Sequence, residues 1–266
     1  GMSADIVFDR GSPSDIDEIK TFTSNTWKVG YYTDLYSKLA DTGTMDDYVD
    51  KVIERWVNDG SVYVLRVSGR PVATIHMEKL PDGSVMLGGL RVHPEYRGSR
   101  LGMSIMQETI QFLRGKTERL RSAVYSWNEP SLRLVHRLGF HQVEEYPIYT
   151  FQGGSTAVPA LKPVNERYAG RWRCFFIDWK YMCSDDPDII HEEYSNNLIV
   201  DGSTFVYFDI YEGGIDLFVN DSDDASSFIE KYRSMNGRIT FYVRKALANG
   251  LPYVPASSLT VWEYRY

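Results

Sequence analysis

The chain has 266 residues, of which 43% are hydrophobic and 14% aromatic, and its formal net charge is -7. This length fits one large or two small domains, and the hydrophobic content excludes a disordered chain. A dedicated nucleic-acid binder needs a basic face, so the acidic balance argues against that class. The one dense basic stretch, from Arg114 to Arg121, is interpreted as a solvated helix end and turn. No run of about 18 apolar residues predicts a membrane span.

The cysteines and histidines give little sign of a metal site. Cys174 and Cys183 are nine positions apart, so they form no Cys-x-x-Cys pair. The sequence contains five histidines. We therefore expect no metal and two unpaired thiols in a reducing compartment. No secretory signal opens the sequence, so a cytoplasmic location is expected. The initial Gly1-Met2 is interpreted as a remnant of tag cleavage.

Apolar periodicity predicts an α/β unit in the first 150 residues. A short strand at Ile6–Phe8 precedes a helix that starts with a capping box of Ser12 and Asp15, with Pro13 at its first position. This helix is expected to end near Trp27. The further predicted elements are a helix over Met45–Val57, strands at Val62–Val67, Val72–Lys79 and Val85–Val92, a helix over Leu101–Arg114, a strand at Arg121–Trp127, a helix from Asn128 to Gly139 and a strand at Phe140–Phe151.

The segment from Gly153 to Pro163 is rich in glycine and proline and predicts a domain boundary. We expect one domain over residues 3–152 and an α+β domain over residues 165–266. The layout of the second domain suggests a degenerate copy of the first. Its predicted elements are strands at Trp172–Trp179, Phe205–Ile210, Ile215–Val219, Ile239–Val243 and Leu259–Tyr266, and a helix that starts after Asn220-Asp221-Ser222.

A predicted strand, turn and helix form the most informative stretch. The strand ends at Val92, and the helix begins near Arg100. The first N–H groups of a helix have no intrahelical acceptor and carry partial positive charge, so they can bind an anion such as a pyrophosphate. Gly98 and Gly102 permit a close approach of ligand, and Arg97 can add charge-assisted hydrogen bonds, as can Arg100. An ordinary surface turn is the alternative that these residues alone leave open.

Two segments resemble the GNAT superfamily of N-acetyltransferases. Val92–Gly102 is similar to the family's acetyl-CoA signature, Arg/Gln-x-x-Gly-x-Gly/Ala, preceded by Val-x-Pro. Trp127–Phe140 is similar to the family's Asn-x-x-Ala…Leu-Gly-Phe segment. The order of the predicted strands and helices extends the resemblance to about residues 5–150.

The resemblance implies an α/β fold with a GNAT-like mixed sheet, in which an antiparallel meander and parallel strands are flanked by helices. It implies an acyl-CoA N-acyltransferase with acetyl-CoA as cosubstrate, bound where the strand before Asn128 splays from its neighbour. The residues that it places at the cofactor are Leu90, Arg91, Val92, Arg97, Gly98, Ser99, Arg100, Leu101, Gly102, Asn128 and Ser131.

The sequence departs from the family pattern at two positions. Arg100 replaces the middle glycine of the signature and crowds the loop unless its side chain points outward. Val135 stands where the family often has the tyrosine that protonates the leaving thiolate. Neighbouring His136 lies about 100° around a helix and does not simply substitute. The acid is therefore missing, supplied elsewhere or replaced by water.

Transfer to an amine also needs a base, because amines are mostly protonated at neutral pH. His76 and Glu78 alternate on one strand and share a face, so either can act through a water. The alternative is that both face solvent on a half-exposed strand. The backbone N–H of Val92 is a candidate for polarising the thioester carbonyl.

The expected acceptor is a primary amine of a small molecule or amino acid, and transfer is direct. Tyr31, Tyr32 and Tyr36 fall where the family has its variable acceptor site, although core packing explains such rings equally. The C-terminal part can close the acceptor pocket or mediate a homodimer. The alternatives to an enzyme are a non-catalytic CoA-binding or sensing module and a structural interaction protein that binds no CoA.

Overall fold

The structure, a computed structural model, describes residues 5–23, 48–153, 161–211, 213–235 and 237–266. The helices are α1 Ile16–Thr23, α2 Val49–Asn58, α3 Leu101–Leu113, α4 Glu129–Arg137, α5 Pro187–Tyr194, α6 Ala225–Tyr232 and α7 Lys245–Ala248. The strands are β1 Ile6–Arg10, β2 Val62–Val67, β3 Arg70–Lys79, β4 Val85–Val92, β5 Arg119–Tyr125, β6 His141–Gly153, β7 Val164–Tyr168, β8 Cys174–Ile177, β9 Lys180–Cys183, β10 Leu198–Gly202, β11 Thr204–Tyr211, β12 Gly214–Asp221, β13 Gly237–Val243 and β14 Ser257–Arg265. None of the helices among these residues is long and apolar enough to cross a membrane.

The chain divides into two compact units that each draw on distant segments of sequence. Unit 1 comprises Gly1–Ser122, Glu129–His141 and Glu263–Tyr266. Unit 2 comprises Ala123–Asn128 and Gln142–Trp262. Whether residues 3–152 and 165–266 fold as separate domains stays a prediction.

Unit 1 begins with the capping box that the sequence predicts. The amide of Ser12 donates to the carboxylate of Asp15 at 2.7 Å, and the amide of Asp15 donates to the carbonyl of Ser12 at 2.9 Å. A short 3-10 turn, Pro13–Asp15, then leads into α1. The predicted end of this helix near Trp27, the predicted helix start at Met45 and the three tyrosines at positions 31, 32 and 36 lie outside the described residues.

The sheet of unit 1 has the strand order β1-β2-β3-β4-β5. The first four strands pair antiparallel, and β5 pairs parallel to β4. Helices α1 and α2 pack on this sheet through a buried cluster that includes Ile19, Phe22, Ile53 and Val64. The predicted meander, followed by helix α3 and a parallel strand, is therefore confirmed.

Arg121 is a buried cation in unit 1. Its side chain is 1% exposed and donates to Asp82 at 2.6 Å and to Glu263 at 3.0 Å. A buried charge requires such partners because it has lost its hydration. The interpretation of the basic stretch as solvated is therefore wrong for Arg121, because this residue lies in strand β5 of the sheet.

Unit 2 repeats the succession of elements found in unit 1. The antiparallel strands β10, β11 and β12 are followed by α6 and by β13, which pairs parallel to β12, and then by α7 and β14. Earlier in the chain the same places are taken by β2, β3 and β4, then α3 and β5, then α4 and β6, although β6 after His141 is itself part of unit 2. A degenerate second copy of the fold remains a prediction that this shared order supports.

The expectation of two unpaired thiols is wrong, because Cys174 and Cys183 form a disulfide. Strands β8 and β9 make an antiparallel hairpin in which these two residues are direct cross-strand partners. The turn consists of Asp178 and Trp179, both with positive φ. Two-residue turns of this kind bring facing side chains within bonding reach. The single strand predicted over Trp172–Trp179 is thus the first half of a hairpin.

We predict that Asp15 stabilises unit 1 in a pH-dependent way. The guanidinium of Arg66 contacts both carboxylate oxygens, at 2.6 and 2.7 Å, and holds the pKa of Asp15 below its ordinary value. Asp15→Asn should lower the free energy of unfolding by about 2 kcal/mol at neutral pH, the size of a charged hydrogen bond. Urea titration at several pH values measures this loss.

The sign of this pH dependence follows from the lowered pKa. The unfolded chain takes up the proton first, near pH ~3.9, so the stabilisation is complete above that pH and is lost as the pH falls through the lower folded value. The difference between wild type and Asp15→Asn should therefore shrink in acid. Asp17→Asn, an exposed change in the first turn of α1, is the control, and an equal loss in both variants would contradict the assignment.

Candidate functional site

The loop after β4 makes three sharp changes of direction before α3. His93 caps a short 3-10 turn, Pro94–Tyr96, by accepting a hydrogen bond from the amide of Glu95 at 3.1 Å. Gly98 follows with φ +84°, and a Cβ atom there would meet nothing within 4 Å. The amide of Ser99 donates to the carbonyl of Tyr96 at 3.2 Å, which closes the turn. The predicted turn therefore exists, and its outer side is open.

Arg100 occupies the left-handed region that glycine would favour. It is the N-cap of α3 with φ 64° and ψ 24°. A residue with a Cβ atom in this conformation costs roughly 1–2 kcal/mol. The Arg100 side chain is exposed, so it lies outside the turn and leaves the loop uncrowded. At the first departure from the family pattern, the backbone thus has a conformation that a glycine would adopt without strain.

The N-terminus of α3 presents amides that the helix itself does not use. The first bond of the helix runs from the amide of Ser104 to the carbonyl of Arg100, at 3.0 Å. The amides of Leu101, Gly102 and Met103 therefore precede the helical ladder and are available to an anion. A Cβ atom on Gly102 would stay 3.9 Å from its nearest neighbours, Leu134 and Val92, so the protein's own packing leaves room there.

One edge of β4 has no strand partner in unit 1 beyond its first three residues. Within the described part of this unit, the parallel pairing with β5 covers Val85–Leu87 and stops there. The amide of His93 donates to Val72 of β3 at 2.7 Å. Because successive backbone groups of a strand point to opposite edges, those of Val92 point away from β3. The open edge therefore presents the amide and carbonyl of Val92.

A bulge at Gly89 bends β4 just before this open edge. The register with β3 shifts between the pairs Thr74–Arg91 and His76–Gly88. Gly89 has φ +59°, and a Cβ atom there would lie 2.9 Å from Trp56 and 3.4 Å from the Cβ of His76. Only glycine fits both the conformation and the space.

His76 is held at the bulge by an aromatic stack. Its ring lies 3.8 Å from that of Trp56 with an interplanar angle of 13°. Glu78 is two residues further on β3, and both side chains are half-buried. His93, in contrast, is 8% exposed and lies against Phe22, so it belongs to the packing under the loop.

The remaining predicted site residues lie on or before α4. Ser131 is in the first turn of α4, and Val135, in the same helix, is 3% exposed. Val135 is thus an apolar core residue at the place of the family's acid. Asn128 belongs to unit 2, where its amide donates to the carbonyl of Tyr125 at 3.0 Å. Leu90 and Arg91 lie on β4 between the bulge and Val92.

Comparisons with known proteins agree with this geometry. The family described as "Acetyltransferase (GNAT) family" matches residues 21–140. A crystal structure of a candidate acetyltransferase from Thermoplasma acidophilum is 98% identical, with 98% of this chain and 100% of that chain covered and a TM-score of 0.89. No curated protein matches the sequence.

Two further crystal structures resemble the fold alone. A candidate acetyltransferase from Pyrococcus horikoshii is 11% identical, with a TM-score of 0.57 over 100% of this chain and 91% of that chain. A GCN5-related N-acetyltransferase from Sphaerobacter thermophilus is 11% identical, with a TM-score of 0.54 over 100% of this chain and 97% of that chain.

The mixed α/β fold together with these comparisons defines the class of the protein, which is an acyltransferase enzyme. The chain belongs to the GNAT acetyltransferase family. The predicted family, the mixed α/β fold, the acyltransferase class and acetyl-CoA as cosubstrate are thereby confirmed. The individual cofactor and catalytic residues stay predictions.

We predict that Gly89→Ala destabilises the protein by about 2 kcal/mol, because a methyl group would enter the Trp56 ring and sit at a strained positive φ. Urea unfolding measures the change. Gly88→Ala is the matched control, since a Cβ atom there meets nothing within 4 Å and its φ is not in the left-handed region. Similar unfolding energies for the two variants would show that the bulge does not need glycine.

Proposed function

We propose that the protein transfers the acetyl group of acetyl-CoA directly to a primary amine of a small molecule or an amino acid. The observation that carries this proposal is the open edge of β4 at Val92, which continues through a tight turn into the N-terminus of α3. This edge offers hydrogen bonds to an extended amide chain, and the helix end offers them to a diphosphate. CoA contains both groups in that order.

The cofactor is assigned to the loop residues as follows. The diphosphate accepts hydrogen bonds from the amides of Leu101 and Gly102, and Arg97 adds positive charge. Gly98 and Ser99 form the turn that lets phosphate oxygens reach these amides. The pantetheine arm runs along the backbone of β4, next to Leu90 and Val92. Arg100 contributes its backbone conformation rather than its side chain.

The chemistry is a direct acyl transfer. The neutral amine nitrogen attacks the thioester carbonyl carbon, a C–N bond forms, and the C–S bond breaks as the thiolate leaves. The amide of Val92 stabilises the negative charge that develops on the carbonyl oxygen. One proton leaves the amine and one is taken up by the sulfur, so the reaction needs a base and an acid.

His76 is the base that we favour over Glu78. It pairs with Gly88 beside the bulge, on the strand whose backbone we propose holds the cofactor. Stacking on Trp56 fixes the ring plane, and a neutral imidazole can accept a proton directly or through a water. Glu78 shares the face and remains the second candidate.

Aromatic side chains near His76 suit a cationic acceptor. Tyr48 and Trp56 meet edge to face with centroids 6.0 Å apart, and Arg91 lies over the Tyr48 ring at 5.6 Å. Faces of such rings attract cations, as the Arg91 contact illustrates. These rings form the surface beside His76 on which we propose that the amine acceptor lies.

A non-catalytic CoA sensor is the alternative, and buried Val135 is the observation that favours it. The family's acid is absent there, so the leaving thiolate of an active enzyme takes its proton from another residue, from water or from the attacking amine. A sensor binds CoA equally well but releases no thiol.

We predict that Arg97→Gln weakens CoA binding by roughly tenfold, the cost of one hydrogen bond between charged groups. Calorimetric titration of CoA measures this affinity. The control is Arg114→Gln, which removes the same charge just beyond the other end of α3. Equal affinities of the two variants would show that the diphosphate does not use the loop.

We predict that acetyl-CoA and a panel of small amines and amino acids release free thiol with the wild-type protein. His76→Gln should lower kcat by roughly a hundredfold or more, with CoA affinity unchanged, and should remove the acid limb of the pH–rate profile. Glu78→Gln is the control that separates the two base candidates. Tight CoA binding without thiol release from any amine would support the sensor instead.

A further inference from the structure

A cleft of about 390 Å³ lies in unit 1 at the end of the sheet opposite the CoA loop. It is formed by the turn between β3 and β4 and by the connection from α3 to β5. Its charged lining residues are Lys79, Asp82, Lys116, Glu118, Arg119 and Arg121. The eight residues of β4 separate it from the loop by roughly 23 Å, because a strand rises about 3.3 Å per residue.

The floor of this cleft is rigid. Asp82 accepts hydrogen bonds from the amide of Ser84 at 3.0 Å and from Arg121 at 2.6 Å. The hydroxyl of Thr117 donates to the carbonyl of Gly83 at 2.7 Å and so joins the two walls. Arg121 is further tied to Ser84 at 3.0 Å. The backbone around the cleft is therefore positioned before any ligand arrives.

The lining of the cleft carries an excess of positive charge beyond the buried ion pairs of Arg121. Arg121 is neutralised by Asp82 and by Glu263 behind it. Lys79, Lys116 and Arg119 then face one carboxylate, Glu118. This local excess stands out in a chain whose net charge is -7.

Two of these cations have no competing partner among the described residues. In the part of the chain that the structure describes, no group bonds to the guanidinium of half-buried Arg119 or to the ammonium of exposed Lys79. Lys116 donates to the carbonyl of Phe112 at 2.7 Å and lies over that ring. A guanidinium and an ammonium at one cleft match the oxygens of a phosphoryl group.

We propose that this cleft binds a small phosphomonoester, with Arg119 and Lys79 holding the phosphoryl group. A cleft of this volume is in the range of small-molecule sites and exceeds what a bare phosphate ion fills. The site is separate from the proposed CoA loop, and the proposal does not depend on acetyl transfer.

Thermal unfolding of the full chain tests the proposal. The protein is first saturated with CoA, so that the loop at α3 is filled, and glycerol 3-phosphate is then added at constant ionic strength. Ligand that binds only the folded state raises Tm. We expect a saturable rise with glycerol 3-phosphate and a smaller one with inorganic phosphate. The same titration is repeated without CoA, so that binding of the ester is measured whether or not the protein binds CoA.

The variants locate the binding. The double variant Lys79→Gln with Arg119→Gln should weaken binding of the phosphomonoester at least tenfold. Arg119→Lys keeps the positive charge but loses the planar guanidinium that can donate two hydrogen bonds, so it should weaken binding less. The matched double variant, Lys51→Gln with Arg55→Gln, removes the same two charges from the exposed face of α2 and should behave as wild type. No rise in Tm with wild type, or an equal rise in both double variants, would overturn the proposal.

Discussion

The interruption of strand pairing at β4 is the constraint on which the rest of the site depends. A strand normally satisfies the backbone groups of both edges through its neighbours. Here the bulge at Gly89 and the end of the β5 pairing after Leu87 leave the edge at Val92 without a strand of its own unit. Trp56 and His76 occupy the space beside the missing Cβ atom and keep the bend in place. The proposed thioester site therefore depends on the bend in β4.

Unit 2 shows what the same succession of elements does without that interruption. Its parallel strands β12 and β13 stay paired from Gly214 to Val219. From the last residue of β12 to the start of α6 the chain reads Asp221-Ser222-Asp223-Asp224, and Asp224 caps the helix with its own carboxylate. Paired backbone offers no edge to an amide chain, and three carboxylates repel a diphosphate. The CoA site that we propose in unit 1 therefore uses two features beyond a helix that follows a strand, namely the open edge and the basic loop.

The sequence predicted much of unit 1 because its signals are local. The capping box at Ser12, the meander and the turn into α3 each depend on residues within a few positions of one another. The hairpin at Asp178-Trp179 lacked the usual glycine or asparagine of such turns, so β9 and the disulfide were missed. The short strands β7 and β10 and the helices α5 and α7 carry too few periodic residues to stand out. The burial of Arg121 was also hidden, because Asp82 and Glu263 are distant in sequence.

Arg100 shows that a residue other than glycine can stand in the signature while the backbone of the loop keeps a conformation that glycine favours. Arg100 stands where the family signature has a glycine, and it adopts a positive φ, which glycine reaches without strain, at a cost of roughly 1–2 kcal/mol. Gly98, also at positive φ, and Gly102 remain glycine. Gly102 lies in the first helical turn, where a side chain would stand beside the amides that an anion needs. A positive φ can be reached under strain by a residue other than glycine, as Arg100 shows. The empty space that the proposed diphosphate needs above the helix end can be left only by glycine or another small residue, and in this respect Gly102 differs from Arg100.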